Sequence, residues 1–389
     1  MIRQLQFTDC VEIVGEECQP FSGYKQYVST GAVAINHISN DDIELVDYDG
    51  KPSRANLIAK SGDILFSKMM GTKKTLHLDE DTAQNIYSTG FCAVRARPTV
   101  LTDRCLYHLL TSKAFLDQKD KNCSGATQKA ITNAGLSKIT IKAPSIGQQA
   151  SIAQQLDRIA SIIALRQSEL QKLDELIKAR FVEMFGDPVY NSKRLPIQRL
   201  CKLGSLDRGR SQHRPRNDPK LLNGPYPLIQ TGEVASAGLY ITKYKNTYSE
   251  LGLRQSKMWS AGTLCITIAA NIAQTAILTF DACFPDSVVG FLPNDSINAI
   301  YMHYWFGFFQ KILEKQAPQV AQKNINLKIL SELNVIVPTQ EKQEQFAAFV
   351  EQTDKSKVAV QKALDEAQLL FDSLMQKYFG CGVYYGRST

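Results

Sequence analysis

The stretch DRGRSQHRPRN, Asp207 to Asn217, holds four arginines and a histidine and no aliphatic residue. Such a loop adds nothing to a core, so its chemistry points outward, toward a ligand. Arg208, Arg210, Arg214 and Arg216 offer planar forks of donors. Ser211, Gln212, His213 and Asn217 add directional donors and acceptors. Arginine forks match guanine O6/N7, and Asn or Gln amides match adenine N6/N7, each bidentate pair discriminating by ~1–3 kcal/mol. Lysine suffices for phosphate attraction alone, so a preference for arginine indicates geometry-dependent contact. Pro215, Pro219 and Pro225 stiffen the segment and lower the ordering cost of binding. The plain alternative is a solvated basic loop that touches nothing.

Further along, KYKNTYSELGLRQSK interleaves Lys243, Lys245, Arg254 and Lys257 with Tyr248 and small polar residues, a pattern suited to phosphate contact. Two lysine groups mark the first half of the chain. Lys68, Lys73 and Lys74 fall in SKMMGTKK, and KDKNCSGATQK places Lys119, Lys121 and Lys129 beside Ser124, Thr127 and Gln128. Acidic runs such as NDDIELVDYD offset these lysines, so a binding face there must be segregated from an acidic back.

The charge distribution agrees. The formal net charge is +7, and residues 188–339 carry 17 Lys+Arg against 9 Asp+Glu. Residues 1–147 are nearly balanced, at 17 against 16. Positive charge gathered in one block is the electrostatic footprint of a nucleic-acid face.

Catalytic patterns are missing from the sequence. It contains neither a GxxxxGK[ST] phosphate loop nor a dinucleotide-type GxGxxG after a strand. DPVY (187–190) lacks the second proline of the amino-methyltransferase motif and reads better as a helix stop. The lone DQK (117–119) has no paired acid in good position for a nuclease. Five histidines, at 37, 77, 108, 213 and 303, suggest neither a triad nor a metal cluster. The nine cysteines (10, 18, 92, 105, 123, 201, 265, 283, 381) form no CxxC pair, which disfavours a zinc site or a disulfide framework. With no apolar run of membrane length and no signal-peptide pattern, the expected location is cytoplasmic, without a membrane partner.

What must position these loops is written twice. At an offset of 194, FG at 185 meets FG at 379, Gln149 meets Gln343, Leu156 meets Val350 and QKAI (128–131) meets QKNI (322–325). At a slightly larger offset GDILFS (62–67) resembles GTLCIT (262–267), and STGAV (29–33) resembles QTGEV (230–234). Each half ends in a long Gly- and Pro-free stretch with a heptad seam. In the first stretch the seam is Ile152, Leu156, Ile159, Ile163, Leu170, Leu173, Ile177 and Met184. In the second it is Phe346, Val350, Val360, Leu364, Ala367, Phe371, Leu374 and Tyr378, with Thr353 and Lys357 interrupting it. Roughly 38 residues at ~1.5 Å each make a rod of roughly 57 Å, and antiparallel pairing of the two rods is the economical solution.

The expected fold class is α+β: two duplicated mixed α/β domains separated by two long helices that form an antiparallel coiled coil. Residues 1–147 and 188–339 would be the domains, 148–187 and 340–380 the helices, and 381–389 a C-terminal tail. Strands are expected at Ile64–Ser67, Phe91–Arg95, Ile139–Lys142, Leu264–Ala269, Ala276–Phe280, Val288–Leu292 and Leu333–Val337. Helical segments are expected over Arg104–Gln118 and Ile297–Glu314.

The domain–helix–domain–helix plan, the proline-led Gln-Gln or Gln-Glu entry into each helix and the FG exit resemble the specificity (S) subunit of type I restriction–modification systems. RGRSQHRPRNDP and GPYPLIQTGEV resemble one recurrent type of its target-recognition domain, which adds Thr231 to the candidate site. The resemblance implies two recognition domains that each read half of a bipartite double-stranded DNA site, spaced by the helices. It also implies docking of two modification (M) subunits, which bring S-adenosylmethionine and methylate adenine, and of restriction (R) subunits that use ATP and Mg. No cofactor is expected in this chain, which would be a non-catalytic subunit. A self-contained DNA methyltransferase or nuclease, and a coiled-coil protein scaffold, are the alternatives.

Overall fold

The computed structural model describes residues 3–269, 272–316 and 325–380. Gln322, Lys323 and Asn324 of the QKNI match, Cys381 and the tail 381–389 lie outside them. Two compact units divide the chain, one built from residues 1–167 and 362–389, the other from 168–361.

In the first unit Val11–Val14, Phe91–Ala96, Ile64–Ser67 and Thr75–His77 form an antiparallel sheet in that order. Ile64 to Ser67 are all buried, as expected of an apolar run in the middle of a sheet. A second sheet orders Glu16–Glu17, Ala55–Ile58, Ile86–Ser88, Lys25–Val28 and Glu44–Val46. The strand Arg3–Gln6 pairs antiparallel with Thr140–Ala143, which delivers the chain to the first long helix, Ile146–Phe185.

The second unit repeats the plan. Gly204–Arg208, Val288–Pro293, Leu264–Thr267, Thr275–Leu278 and Tyr240–Ile241 make its main sheet. Asn246–Tyr248, Leu222–Leu228, Ala282–Cys283 and Met258–Trp259 make the second. Ile197–Arg199 pairs with Asn334–Ile336, which leads into the second long helix, Gln340–Phe379. The duplication extends to single hydrogen bonds. Gly62 and Gly262 both turn at φ +86°. Gly62 N donates to Leu78 O and Gly262 N to Leu278 O, each at 2.8 Å. Positive φ of this size favours glycine, which accounts for the GD and GT starts of the matched strands.

Both helix entrances are locked by one buried amide. Gln149 is 0% exposed: its Oε1 accepts from Thr102 N at 2.8 Å, and its Nε2 donates to Val100 O at 2.8 Å and Pro144 O at 3.0 Å. Gln343, 1% exposed, makes the same set with Asn298 N (2.8 Å), Ser296 O (3.2 Å) and Pro338 O (2.9 Å). At the exit of the first helix Gly186 takes φ +76°, and a Cβ there would lie 2.4 Å from Ser192 Oγ. Asp187 then accepts from Val189 N at 2.7 Å, so DPVY is a helix stop closed by an Asx turn.

Within the second unit the helices run antiparallel. Asp174 bonds Lys357 at 2.6 Å, Arg180 lies over the Phe349 ring, and Phe181 and Phe185 pack on Phe346. Partner numbers fall as helix numbers rise. Within the first unit Ile152 and Leu156 share a core with Leu374, Met375 and Phe379. The seam positions are buried or intermediate, none exposed. Leu156, Ile177 and Val350 are fully buried, Ile152 and Val360 nearly so, and Ile159, Ile163, Leu170, Leu173, Leu364, Phe371 and Leu374 are intermediate. The polar interruptions are accommodated: buried Thr353 donates to Phe349 O at 2.9 Å, and Lys357 takes Asp174.

Each of the two expected helical segments is a pair of helices. The segment expected over Arg104–Gln118 divides into Asp103–Thr111 and Lys113–Lys121. Ser112 breaks it in extended backbone (φ −67°, ψ 143°) and caps the second helix by accepting from Phe115 N at 3.2 Å. The segment expected over Ile297–Glu314 is likewise Ala299–Phe306 followed by Phe309–Gln316, with Gly307 ending the first.

His303 Nδ1 lies 3.0 Å from Thr275 Oγ1, and burial, reinforced by the charge of Lys357, pushes its pKa from 6.5 down to about 4. The unfolded chain therefore binds the extra proton between these values, and stability falls as pH drops through that window. The loss between pH 7.5 and pH 5 should be on the order of 2 kcal/mol. Both tryptophans, Trp259 and Trp305, belong to the second unit, so urea titrations followed by their fluorescence will measure it. His303→Gln should flatten this pH dependence.

Candidate nucleic-acid interface

The arginine-rich loop leaves the end of the strand Gly204–Arg208 and is tied down along its length. At its start, a Cβ on Gly209 would lie 2.4 Å from both Phe284 O and Pro285 O, so only glycine allows this approach. In its middle, Gln212 N and His213 N both donate to Gln255 Oε1, at 2.7 and 3.1 Å, and Ser256 Oγ donates to Arg210 O at 3.0 Å. At its end, His213 Nε2 lies 3.1 Å from Asp218. These bonds hold one shape while leaving Gln212, His213, Arg216 and Asn217 exposed.

The four arginines are not equivalent. Arg208 Nε donates to the main-chain oxygen of Asp286. Arg216 bonds the Asp286 carboxylate at 2.5 Å, and Arg214 approaches it at 3.7 Å. Arg214 also donates to Ser211 O and to His213 O. Arg210 is exposed and makes no side-chain hydrogen bond or ion pair among the described residues, while its charge helps hold Asp207 ionised. Ser211 is a correction: it is 6% exposed, so its hydroxyl is not on the outer face.

Lys257 bonds Asp207 at 2.8 Å and sits over the Trp259 ring at 3.9 Å. This hydrogen bond, ahead of the other influences, lowers the Asp207 pKa below the ordinary carboxylate range. Arg254 ends the short helix Glu250–Arg254, exposed and next to the Gln255 that holds the loop. Lys243 and Lys245 are exposed between Tyr240–Ile241 and Asn246–Tyr248. Thr231 is the first residue of the helix Thr231–Ser236, half-buried behind a Gln230–Glu233 capping box.

In the first unit the fold joins two lysine groups that lie far apart in the sequence. Met69 pairs with Ala130, and Met70 N donates to Lys129 O at 3.0 Å, which sets the 68–74 turn against the 122–131 loop. Lys119, 1% exposed, anchors this turn through Met69 O (2.8 Å) and Thr72 O (3.0 Å), so it is scaffold and not surface. Lys74 is half-buried and donates to Thr30 O at 2.5 Å. Lys68 is also half-buried, while Lys73, Lys121, Thr127 and Gln128 are exposed. Asp286, Gln255 and the scaffold role of Lys119 were not legible as parts of this surface from the sequence. Only the last carried a signal, as one lysine on a helix face among apolar neighbours.

Two tandem copies of one domain, each opening a basic, loop-borne surface and closing on a long paired helix, define a protein of duplicated nucleic-acid recognition domains. The family model for the type I restriction modification DNA specificity domain matches residues 8–175 and again residues 200–367. The chain belongs to that family and is a DNA sequence-recognition chain with two specificity domains in tandem. Its fold is similar to the type I restriction–modification S subunit from M. genitalium (14% identity, 98% of this chain and 97% of that one, TM-score 0.60). It is also similar to a chain solved in a study of complex assembly and conformational transition of the type I R-M system (20% identity, 97% of each chain, TM-score 0.57). Among the described residues no helix is long and apolar enough to cross a membrane, and no group of three or more His, Cys, Asp or Glu could hold a metal.

Proposed function

We propose that the outer face of the 208–217 loop reads one half of a bipartite double-stranded DNA target, with Arg210 as its leading contact. The observation that carries this is the pinned loop itself: its backbone is held at Gly209, Gln212 and His213, yet Arg210 is exposed and makes no side-chain hydrogen bond or ion pair among the described residues. A backbone already held in place loses little conformational freedom on binding. Lys257, Arg254, Lys243 and Lys245 supply phosphate contacts, with Thr231 a further candidate contact. In the first unit, Lys73, Lys121, Thr127 and Gln128 on the joined turn and loop, with Lys68 and Lys74 behind, read the other half.

Arg210→Ala should weaken discrimination at one half-site by about 1–3 kcal/mol, the cost of one bidentate contact, and leave the other half unchanged. Sequencing of the methylated sites in cells expressing the variant with its modification subunit measures this, and equal relaxation of both halves would count against the assignment.

We further infer that the chain itself is non-catalytic and docks two modification subunits, which supply S-adenosylmethionine, together with restriction subunits that use ATP and Mg where the system includes them. Co-purification with the modification subunit tests the docking. Binding of S-adenosylmethionine by the isolated chain would instead favour a self-contained methyltransferase.

A further inference from the structure

Asp286 collects three of the four loop arginines. Its carboxylate takes Arg216 at 2.5 Å and Arg214 at 3.7 Å, and its main-chain oxygen accepts from Arg208. The residue lies in a turn that cannot drift. Val288 N donates to Pro285 O at 3.0 Å, Gly209 N donates to Val288 O at 2.9 Å, and the Gly209 backbone is pressed against Phe284 O and Pro285 O. The carboxylate is 31% exposed, so it stands at the surface, where an approaching phosphate would compete with it for the same guanidinium groups.

Two unpaired arginines at this place would attract any duplex, because phosphate contacts carry no sequence information. Paired to Asp286, they attract random duplex less, and their planes are already oriented when the correct bases arrive. We propose that Asp286 is a specificity-determining positioning residue, which holds Arg214 and Arg216 against the protein and so suppresses sequence-independent capture of DNA by the loop. This inference rests on the assignment of the loop as a DNA contact.

The test uses the full-length chain and a random-sequence duplex, with affinity measured across a series of salt concentrations for wild type, Asp286→Asn and Arg210→Ala. Asn keeps the size and an acceptor but removes the charge. Release of two guanidinium groups should steepen the log–log salt dependence by about one to two and raise affinity about tenfold near 0.1 M salt. Arg210→Ala should move both quantities the other way, and Asp286→Glu should restore wild-type behaviour. An unchanged or weaker Asp286→Asn, with Arg210→Ala weakened, overturns the role of Asp286 alone. Wild-type behaviour from both variants overturns the loop assignment, and the inference with it. An unchanged urea midpoint for Asp286→Asn separates a charge effect from misfolding.

Discussion

Gln343→Leu and Gln149→Leu are expected to cost about 3–5 kcal/mol each, among the largest single-residue losses the fold offers. Each change strips the partner from one backbone N–H and two backbone carbonyls: Asn298, Ser296 and Pro338 in one unit, Thr102, Val100 and Pro144 in the other. A buried polar group left unpaired costs about 1–3 kcal/mol, and the leucine recovers part of the sum by burying apolar surface. Neither glutamine exposes more than 1% of its surface, so water cannot replace the lost bonds without opening the helix entrance. Urea denaturation followed by tryptophan fluorescence measures the loss for Gln343→Leu, and circular dichroism measures it for Gln149→Leu. A loss under 1 kcal/mol would show that the amide is incidental to the junction.

Phe181→Ala is the second large effect, at about 3–5 kcal/mol, the range for removing a buried aromatic ring. Phe181 is fully buried and its ring meets four others: Phe185, Tyr301, Phe308 and Phe346. Tyr301 and Phe308 belong to the recognition domain, Phe346 to the second long helix, and Phe181 and Phe185 to the first. The ring therefore joins three elements at one point, and none can move into the space it leaves without breaking another contact. Phe181→Leu should recover about half of the loss, since a branched side chain refills part of the cavity. Denaturation midpoints compared across the two variants check this, and equal losses would argue that shape matters little at this junction.

The parts of the fold legible in the sequence were those with a period or a copy. Seven-residue spacing marked Leu156, Ile177 and Val350, and these positions are fully buried. A constant offset marked Gln149 against Gln343, and their hydrogen-bond sets prove identical in kind. Helix breaks were less legible, because Ser112 ends one helix and caps the next by side-chain geometry, without the glycine or proline that usually flags a stop. The composition of the candidate site was plain in RGRSQHRPRN, but not which arginines were already engaged. Asp286 lies 70 residues beyond Arg216, and nothing local to either residue announces the pair. For the same reason the union of the 68–74 turn with the 122–131 loop could not be read from either segment, since it depends on a pairing between Met69 and Ala130.

Two duplicated domains that each read one part of a divided DNA target, with the 208–217 loop serving one part only, make a definite prediction. Methylated-base sequencing of a genome in cells that express this chain with its modification subunit tests it most directly. Wild type should give a motif of two specified parts separated by unspecified bases, and Arg210→Ala should relax one part while the other keeps its sequence. A single contiguous motif, or relaxation of both parts together, would show that the two domains do not read separate parts of the target.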